Sequence, residues 1–122
     1  MDLQAAINRF IPDRRTVTAI GAMEPDGPRL SIAGSIDLES SKPIQDLLVW
    51  VIENQEGRSC LTVDMERVEY ISSTGVGALT LALMAARKRD MRIKLRNIQP
   101  QVGSVFRLLG LLSYFETEET RG

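Results

Sequence analysis

Residues 60–86 read CLTVDMERVEYISSTGVGALTLALMAA, and this stretch decides the fold. Its first part, residues 60–65, is an apolar run broken by two polar residues, which is typical of a buried parallel strand. A short polar connection follows at residues 72–75. The next segment, residues 76–86, is apolar almost throughout and long enough for a helix. The stretch therefore predicts a strand, a tight polar connection and a buried helix.

Upstream of this stretch, the pattern predicts a β-hairpin. Residues 16–21 interleave β-branched and small residues, and residues 30–36 alternate between apolar and small polar side chains. A cluster rich in proline, aspartate and glycine at residues 24–28 separates the two segments. Such a cluster between two strand-like segments indicates a turn.

A helix is predicted between the hairpin and the strand that begins at residue 60. Either Asp37 or the pair Ser40-Ser41 opens it, Pro43 falls where a first-turn proline is tolerated, and residues 54–57 end it. Its apolar residues recur at spacings of three and four, which gives the helix a core face. They are Ile44, Leu47, Leu48 and Val51.

Downstream, residues 91–95 alternate strictly and predict a third core strand. A helix is expected from about Pro100 to Gly110, and residues 111–115 are expected to pack back as a short last strand. The polar residues 117–122 are predicted to be a flexible tail. At the other end, residues 1–14 form an extension that is predicted to hold a short amphipathic helix.

The order of these elements predicts a single α/β domain. A chain of 122 residues suits one domain, and its 43% hydrophobic content is enough for a core. Strands that alternate with helices imply right-handed crossovers. The expected architecture is a mixed, mainly parallel β-sheet with helices packed on it and a hairpin at its N-terminal side.

Composition excludes several classes of site. The chain has no histidine and one cysteine, which removes Ser-His-Asp and Cys-His catalytic systems and zinc sites built from His or Cys. That cysteine, Cys60, is interpreted as a small core residue. A net charge of -1 predicts no general attraction to nucleic acid or acidic membranes. With no apolar leader and no spanning segment, the protein is expected to be cytoplasmic and to need no cofactor.

The least ordinary feature is the hydroxyl run Ser72-Ser73-Thr74 at the predicted start of a helix. One interpretation is N-capping, because Ser and Thr side chains accept hydrogen bonds from the first helical amides. The other is a phosphorylation site, because a helix N-terminus tolerates a phosphoryl group. A dinucleotide-binding motif does not fit, since Thr80 stands where its third glycine is needed, and Gly75 and Gly77 are expected instead to let the helix start lie close to another backbone. Both interpretations remain open on spacing alone.

These residues resemble the signature of STAS domains. Residues 71–79, ISSTGVGAL, follow Asp64 with six residues between them and are similar to that family's Asp/Ser-Ser-Ser/Thr/Ala-Gly-Leu-Gly pattern. Residues 34–37, GSID, resemble the turn before its first helix, and residues 100–112 resemble its last core helix. The resemblance covers about residues 15–116 and implies a STAS-like fold over that range.

The resemblance also implies a function, that of an anti-sigma factor antagonist. In such proteins a partner that is both anti-sigma factor and serine kinase phosphorylates the serine two positions before the motif glycine, which is Ser73 here. Phosphorylation releases the partner, and a serine phosphatase resets the switch. The family's usual Asp is replaced by Ser72, which is a possible secondary acceptor. The implied partner-binding residues are Asp37, Ser72, Ser73, Thr74, Gly75 and Val76.

Two alternatives stand beside this switch. Residues 76–86 are apolar nearly all round, so the helix is either covered within its own domain, for example by the N-terminal helix, or bears a partner surface. A constitutive scaffold that self-associates through this helix and residues 1–14 is therefore one alternative. The other is a sensor that binds a nucleotide or small anion at the helix start. An enzyme is not expected.

Overall fold

The computed structural model describes residues 1–54 and 60–120, which form one sheet with helices packed against it. The predicted helix end at residues 54–57 lies partly outside the described residues. In chain order the elements are α1 (Leu3–Phe10), β1 (Val17–Glu24), β2 (Gly27–Ile36), α2 (Leu38–Asn54), β3 (Cys60–Ile71), α3 (Ser73–Arg87), β4 (Arg92–Arg96), α4 (Pro100–Leu108), a short 3-10 helix (Leu112–Tyr114) and β5 (Glu116–Glu118).

The sheet has the order β1-β2-β3-β4-β5. Strands β1 and β2 pair antiparallel as a hairpin, and each later strand is parallel to its neighbour. Each parallel connection carries a helix and steps in the same direction across the sheet, so right-handed crossovers place α2, α3 and α4 on one face. The predicted α/β fold, with its hairpin and mainly parallel sheet, is confirmed.

The core lies between this face and the helices. Strand β2 contributes Leu30, Ile32 and Ile36, which alternate with half-buried residues as a one-sided strand requires. The predicted core face of α2 is fully buried against the sheet and α3. Cys60 is buried as expected, and its burial raises the pKa of the thiol above its usual value. Each large apolar side chain removed from water here stabilises the fold by about 1.5–3 kcal/mol.

The opposite face of the sheet carries charged side chains. Arg96 Nη1 lies 3.0 Å from Glu24 Oε2, and Arg96 Nε lies 2.7 Å from Glu118 Oε2. These hydrogen bonds lower the pKa values of both carboxyl groups below their usual range. Because the partners stand on β1, β4 and β5, this cluster links both edges of the sheet to one inner strand.

Helix α1 is part of the packed structure. Asp2 accepts a hydrogen bond from the Ala5 amide at 2.8 Å and caps the helix. Ala6 and Ile7 are buried, and α1 packs on α2 and β1. A Cβ on Gly21 of β1 would lie 2.7 Å from Leu3 Cγ, so the helix sits close to the strand because that residue is glycine.

The structure decides between the two predicted starts of α2 and differs from the prediction at other element boundaries. Helix α2 begins at Leu38, directly after Asp37, so the Asp37 start is confirmed, and Pro43 lies inside the helix and not in its first turn. Helix α3 begins at Ser73, three residues earlier than predicted. Residues 111–115 do not form the last strand, because three of them form the 3-10 helix. In the first two cases a capping hydrogen bond starts the helix before the apolar pattern does.

The tail that was predicted to be flexible from residue 117 is instead attached to the sheet. Thr117 and Glu118 pair with β4 in strand β5. The Asn97 side chain then accepts a hydrogen bond from the Thr120 amide and donates one to its hydroxyl, both at 2.9 Å. Asn97 is buried, so these bonds satisfy polar groups that would otherwise be costly to bury.

Candidate functional site

The candidate site forms where β2 and β3 end and α2 and α3 begin. The two strands are parallel neighbours with Ile36 opposite Ile71, so their carboxyl ends meet at the same edge of the sheet. Ser72 follows one strand and Asp37 follows the other, which brings both helix starts together. The Ser72 amide donates to the Ile36 carbonyl at 2.9 Å and fixes this junction.

Ser72 is the N-cap of α3. Its Oγ accepts a hydrogen bond from the Gly75 amide at 3.1 Å and lies 3.3 Å from the Ile36 carbonyl oxygen, to which it donates. The backbone is extended at this residue, as an N-cap requires. The predicted capping function therefore belongs to Ser72, and its hydroxyl is occupied by that function.

Ser73 occupies the first position of α3 and is exposed. Among the described residues, nothing forms a hydrogen bond with its hydroxyl. The residue stands at the N-terminus of a 15-residue helix, where backbone amides and the helix dipole favour negative charge. Ser73 thus has a free hydroxyl in a position that tolerates a phosphoryl group.

Thr74 joins the two helix starts through hydroxyl groups. Its Oγ1 lies 2.7 Å from Ser72 Oγ, and it accepts a hydrogen bond from Ser41 Oγ at 3.4 Å. Ser41 belongs to the first turns of α2, and its one hydroxyl proton is shared between Thr74 Oγ1 and the nearer Asp37 carbonyl oxygen. The three hydroxyl residues that look alike in the sequence therefore have different surroundings: two are engaged and one is free.

Asp37 caps α2. Its Oδ1 accepts hydrogen bonds from the Glu39 and Ser40 amides, both at 3.0 Å, and its own amide donates to Ser40 Oγ at 2.9 Å. This reciprocal pair is a capping box with serine in the third helical position. The bonds to Ser40 and Glu39 lower the pKa of the Asp37 carboxyl below its usual value. The structure places Asp37 beside the hydroxyl run, as the sequence predicted.

Gly75 and Gly77 have different environments, although both were expected to allow close approach of another backbone. A Cβ on Gly75 would lie 2.7 Å from the Ile36 carbonyl oxygen and from Ile71 Cγ1, so this glycine lets α3 start against β2 and β3. A Cβ on Gly77 would meet nothing within 4 Å. The expectation is confirmed for Gly75 and is wrong for Gly77 within this chain.

The expected partner contact of Val76 is revised. Its side chain is fully buried, facing the core from the first turn of α3. Gly75 is buried as well. The surface around Ser73 is formed by other residues, because the helix turns these two toward the sheet.

Four apolar side chains are exposed at the end of β3, at the start of α2 and along α3. The apolar pattern of residues 76–86 indicated the two on α3, and nothing in the sequence indicated Leu38 and Tyr70. Leu38, at the first position of α2, is 75% exposed, and Tyr70, one residue before the end of β3, is 53% exposed. Leu81 and Met84 lie further along α3 and are 50% and 53% exposed. Helix α1 packs on α2 and β1, and one side of α3 stays open to solvent. We call these four residues the apolar surface.

The described residues contain neither a metal centre nor a membrane-spanning helix. Within residues 1–54 and 60–120, no group of three or more His, Cys, Asp or Glu side chains is arranged to hold a metal ion. In the same part of the chain, none of the helices combines the length and apolar character needed to cross a bilayer.

Comparison with known proteins places this geometry in context. Residues 21–113 match the family model described as "Mlab, STAS domain". The anti-sigma-B factor antagonist of Staphylococcus aureus is 23% identical over 90 residues, which are 74% of this chain and 82% of that protein.

Solved structures share the fold. An anti-sigma factor antagonist from Mycobacterium paratuberculosis has a TM-score of 0.73 at 18% identity, covering 87% of this chain and 88% of that one. The Bacillus anti-sigma factor antagonist SpoIIAA in its unphosphorylated form has a TM-score of 0.69 at 20% identity, covering 82% and 87%.

Proposed function

The chain belongs to the STAS domain family, and we propose that it is a cytoplasmic anti-sigma factor antagonist or a related partner-switching regulator. It binds an anti-sigma factor that is also a serine kinase, and phosphorylation of Ser73 by that kinase ends the binding. A serine phosphatase restores the binding form. The protein acts by binding and catalyses no reaction itself.

The observation that carries this proposal is the state of the three hydroxyl groups. Ser72 Oγ is held between the Gly75 amide and the Ile36 carbonyl, and Thr74 Oγ1 is held by two hydroxyls. Only Ser73 combines exposure with a hydroxyl that no described residue engages. A kinase needs access to an acceptor hydroxyl, so Ser73 is the acceptor and Ser72 is not.

The apolar surface supplies the reason why phosphorylation changes binding. A phosphoryl group adds about -1.5 to -2 charges at neutral pH. At the start of α3 this charge is compatible with the fold, because helix amides favour it. In an interface formed with Leu38, Tyr70 and Leu81 it would have to be desolvated, which is costly. The modification therefore acts on the complex far more than on the domain.

A relative supports the mechanism. SpoIIAA has been solved in both unphosphorylated and phosphorylated forms, so at least one structural neighbour exists in the two states. This chain has serine at position 72, where the family's usual pattern has aspartate. The kinase that recognises this site must then read a neutral residue next to the acceptor.

The test measures binding and modification together. Wild type, Ser73→Asp, Ser73→Ala and the control Ser113→Asp are titrated against the anti-sigma factors with kinase domains encoded in the same genome. Ser113 is an exposed serine beyond α4, outside the site. We expect Ser73→Asp to weaken binding at least about tenfold, corresponding to about 1.4 kcal/mol, with Ser73→Ala and Ser113→Asp close to wild type.

Phosphopeptide mass spectrometry of the fragment between Arg67 and Arg87 completes the test. With ATP and the bound kinase, phosphate is expected on Ser73 and not on Ser72. Equal binding of all four proteins, or phosphate confined to another residue, would contradict the proposal.

The exposed side of α3 favours a second candidate function. A constitutive scaffold would use Leu81 and Met84 to hold other proteins without any modification. In that case Leu81→Lys combined with Met84→Lys abolishes assembly, while Ser73→Asp has no effect. The nucleotide-sensor alternative loses part of its support, because the contact with Ile36 accounts for Gly75.

A further inference from the structure

The outer edge of the sheet at β1 is unusually open to pairing. Strand β1 has eight residues and contains neither proline nor a basic residue. Its register with β2 runs without a bulge from Val17 to Glu24. Its one charged side chain, Glu24, points to Arg29 and Arg96 within the same chain. Exposed edges are normally protected by short length, proline, lysine, a bulge or a covering helix. Strand β1 has none of the first four, and α1 packs on it through side-chain contacts at Gly21.

The opposite edge shows such protection. Strand β5 has three residues, and Glu116 and Glu118 supply charges along it. Compared with β5, β1 is longer and carries fewer charges, so its edge is the better suited of the two to pair with another strand.

The register identifies which backbone groups are free to do so. The Thr16 carbonyl accepts a hydrogen bond from the Ser35 amide at 2.9 Å, so Thr16 and every second residue after it point their backbone groups toward β2. The amides and carbonyls of Val17, Ala19, Gly21 and Met23 therefore point away from the sheet. None of them has a hydrogen-bond partner among the described residues.

This row of groups is complementary to itself. In an antiparallel pair centred on residue 20, Val17 of one chain lies opposite Met23 of the other, and Ala19 lies opposite Gly21. All of the outward groups are then paired at once. Ile20 sits on the two-fold axis opposite its own copy, in the closely spaced type of pair. Its side chain is 66% exposed in the single chain, on the sheet face that no helix covers.

Charges at the two ends of β1 are compatible with the same arrangement. Arg14 and Arg15 precede the strand and are exposed, and Arg15 also pairs with Asp13 of its own chain. Glu24 at the strand end contacts Arg96, and Asp26 in the turn contacts Lys94, within one chain. Antiparallel pairing brings Arg14 of each chain beside the acidic end of the other β1, which adds to these intrachain contacts.

We propose that two copies of this chain associate through β1 to form a continuous ten-stranded sheet, with Ile20 at the two-fold axis. The proposal is independent of Ser73, because β1 is two strands away from β3 in the sheet and takes no part in the switch site. The switch sites of both copies stay accessible to their partners.

The test is the mass of the full chain by light scattering after gel filtration, over a dilution series. Wild type is expected to reach twice the chain mass at high concentration. Ile20→Lys and Ala19→Pro should each raise the dimer dissociation constant at least about tenfold. The first places a charge on the axis, and the second removes an outward amide while leaving the pairing with β2 intact. Leu81→Lys is the control and should dimerise like wild type.

A cross-link gives positive evidence of register. Closely spaced antiparallel partners have Cα atoms about 4.5 Å apart, within the range of a disulfide. Ile20→Cys should therefore form a covalent dimer on mild oxidation, while the buried Cys60 stays reduced. Circular dichroism of each variant confirms folding. A monomeric wild type, a dimer that survives both edge variants, or one that Leu81→Lys dissociates would overturn the proposal.

Discussion

Helices α2 and α3 start side by side, and their first turns are built differently. Helix α2 is capped by the Asp37 carboxylate, which accepts two amide hydrogen bonds and carries a permanent charge. Helix α3 is capped by the neutral Ser72 hydroxyl, which accepts one. The next residue of α2 is Leu38, and the next residue of α3 is Ser73, whose hydroxyl has no hydrogen-bond partner among residues 1–54 and 60–120.

The start of α2 therefore has a charge that is present at neutral pH without modification, whereas the charge at the start of α3 can be changed by modification. At α2 the negative charge favoured by the helix dipole is already present in Asp37. At α3 the N-cap residue Ser72 is neutral, and Ser73, in the first helical position, can supply a negative charge when it is modified. The hydrogen bond from Ser41 to Thr74 joins the first turns of α2 and α3, so a modification at the start of α3 lies close to the start of α2.

Among substitutions at the two helix starts, Gly75→Ala is expected to change the free energy of unfolding most. The added Cβ would lie 2.7 Å from the Ile36 carbonyl oxygen, and neither backbone nor the buried Ile71 can move aside freely. We expect the free energy of unfolding to fall by roughly 1–3 kcal/mol, as for other overpacked sites. Urea denaturation followed by circular dichroism measures the change.

Gly77→Ala is the matched control, two residues along the same helix. Its Cβ meets no neighbouring atom, so the substitution should raise the free energy of unfolding by roughly 0.5–1 kcal/mol through helix propensity alone. Equal effects of the same sign at both glycines would show that the close junction with β2 does not constrain α3.

A smaller effect is expected from Ser72→Ala. Loss of the cap leaves the Gly75 amide without its acceptor and should cost about 1 kcal/mol of unfolding free energy. Ser73→Ala should change stability by less than about 0.5 kcal/mol, because its hydroxyl makes no hydrogen bond. Thermal melts of the two variants compare adjacent serines directly. If Ser73→Ala were the more destabilising of the two, the assignment of cap and acceptor would be reversed.

The smallest effect is expected from Asp37→Asn, because asparagine keeps a capping oxygen and only the charge is lost. The pKa of Asp37 is lower in the folded state than its ordinary value of 3.8. The stability from its charge is therefore fully present above that ordinary value and is lost as pH falls through the folded-state pKa. Wild type should be the more stable protein at neutral pH, and urea denaturation should show the gap closing below pH 3.8. If the stability difference between wild type and Asp37→Asn did not change with pH, it would come from hydrogen-bond geometry and not from the charge of Asp37.

Local patterns predicted most of the fold. The apolar spacing of α2, the hairpin around residues 24–28 and the strand at residues 60–65 follow from periodicity and turn chemistry. Boundaries were less predictable where polar residues extend an element. The Ser72 cap starts α3 three residues before its apolar pattern begins, and pairing with β4 orders residues whose composition predicted a flexible tail.

The site was predictable in position and not in detail. The hydroxyl run and Asp37 were identified because they interrupt apolar patterns at element ends. Leu38 and Tyr70 carry no such signal, because whether an apolar residue at an element end is exposed depends on which neighbours cover it. In the sequence, Val76 could not be distinguished from Ser73 and Thr74 as a partner-binding residue. Only the structure shows that its position on α3 directs its side chain into the core.

The sequence by itself determined an α/β domain and a run of three hydroxyl residues at a helix start, where phosphorylation can add charge. It could do so because periodicity, turns and caps are local properties. The tertiary structure alone decided which hydroxyl is free, which glycine is packed and which edge of the sheet is open. Each of these depends on contacts between segments far apart in the chain, such as Ile36 with Ser72. Spacing along the sequence carries no information about those contacts until the sheet brings the strands together.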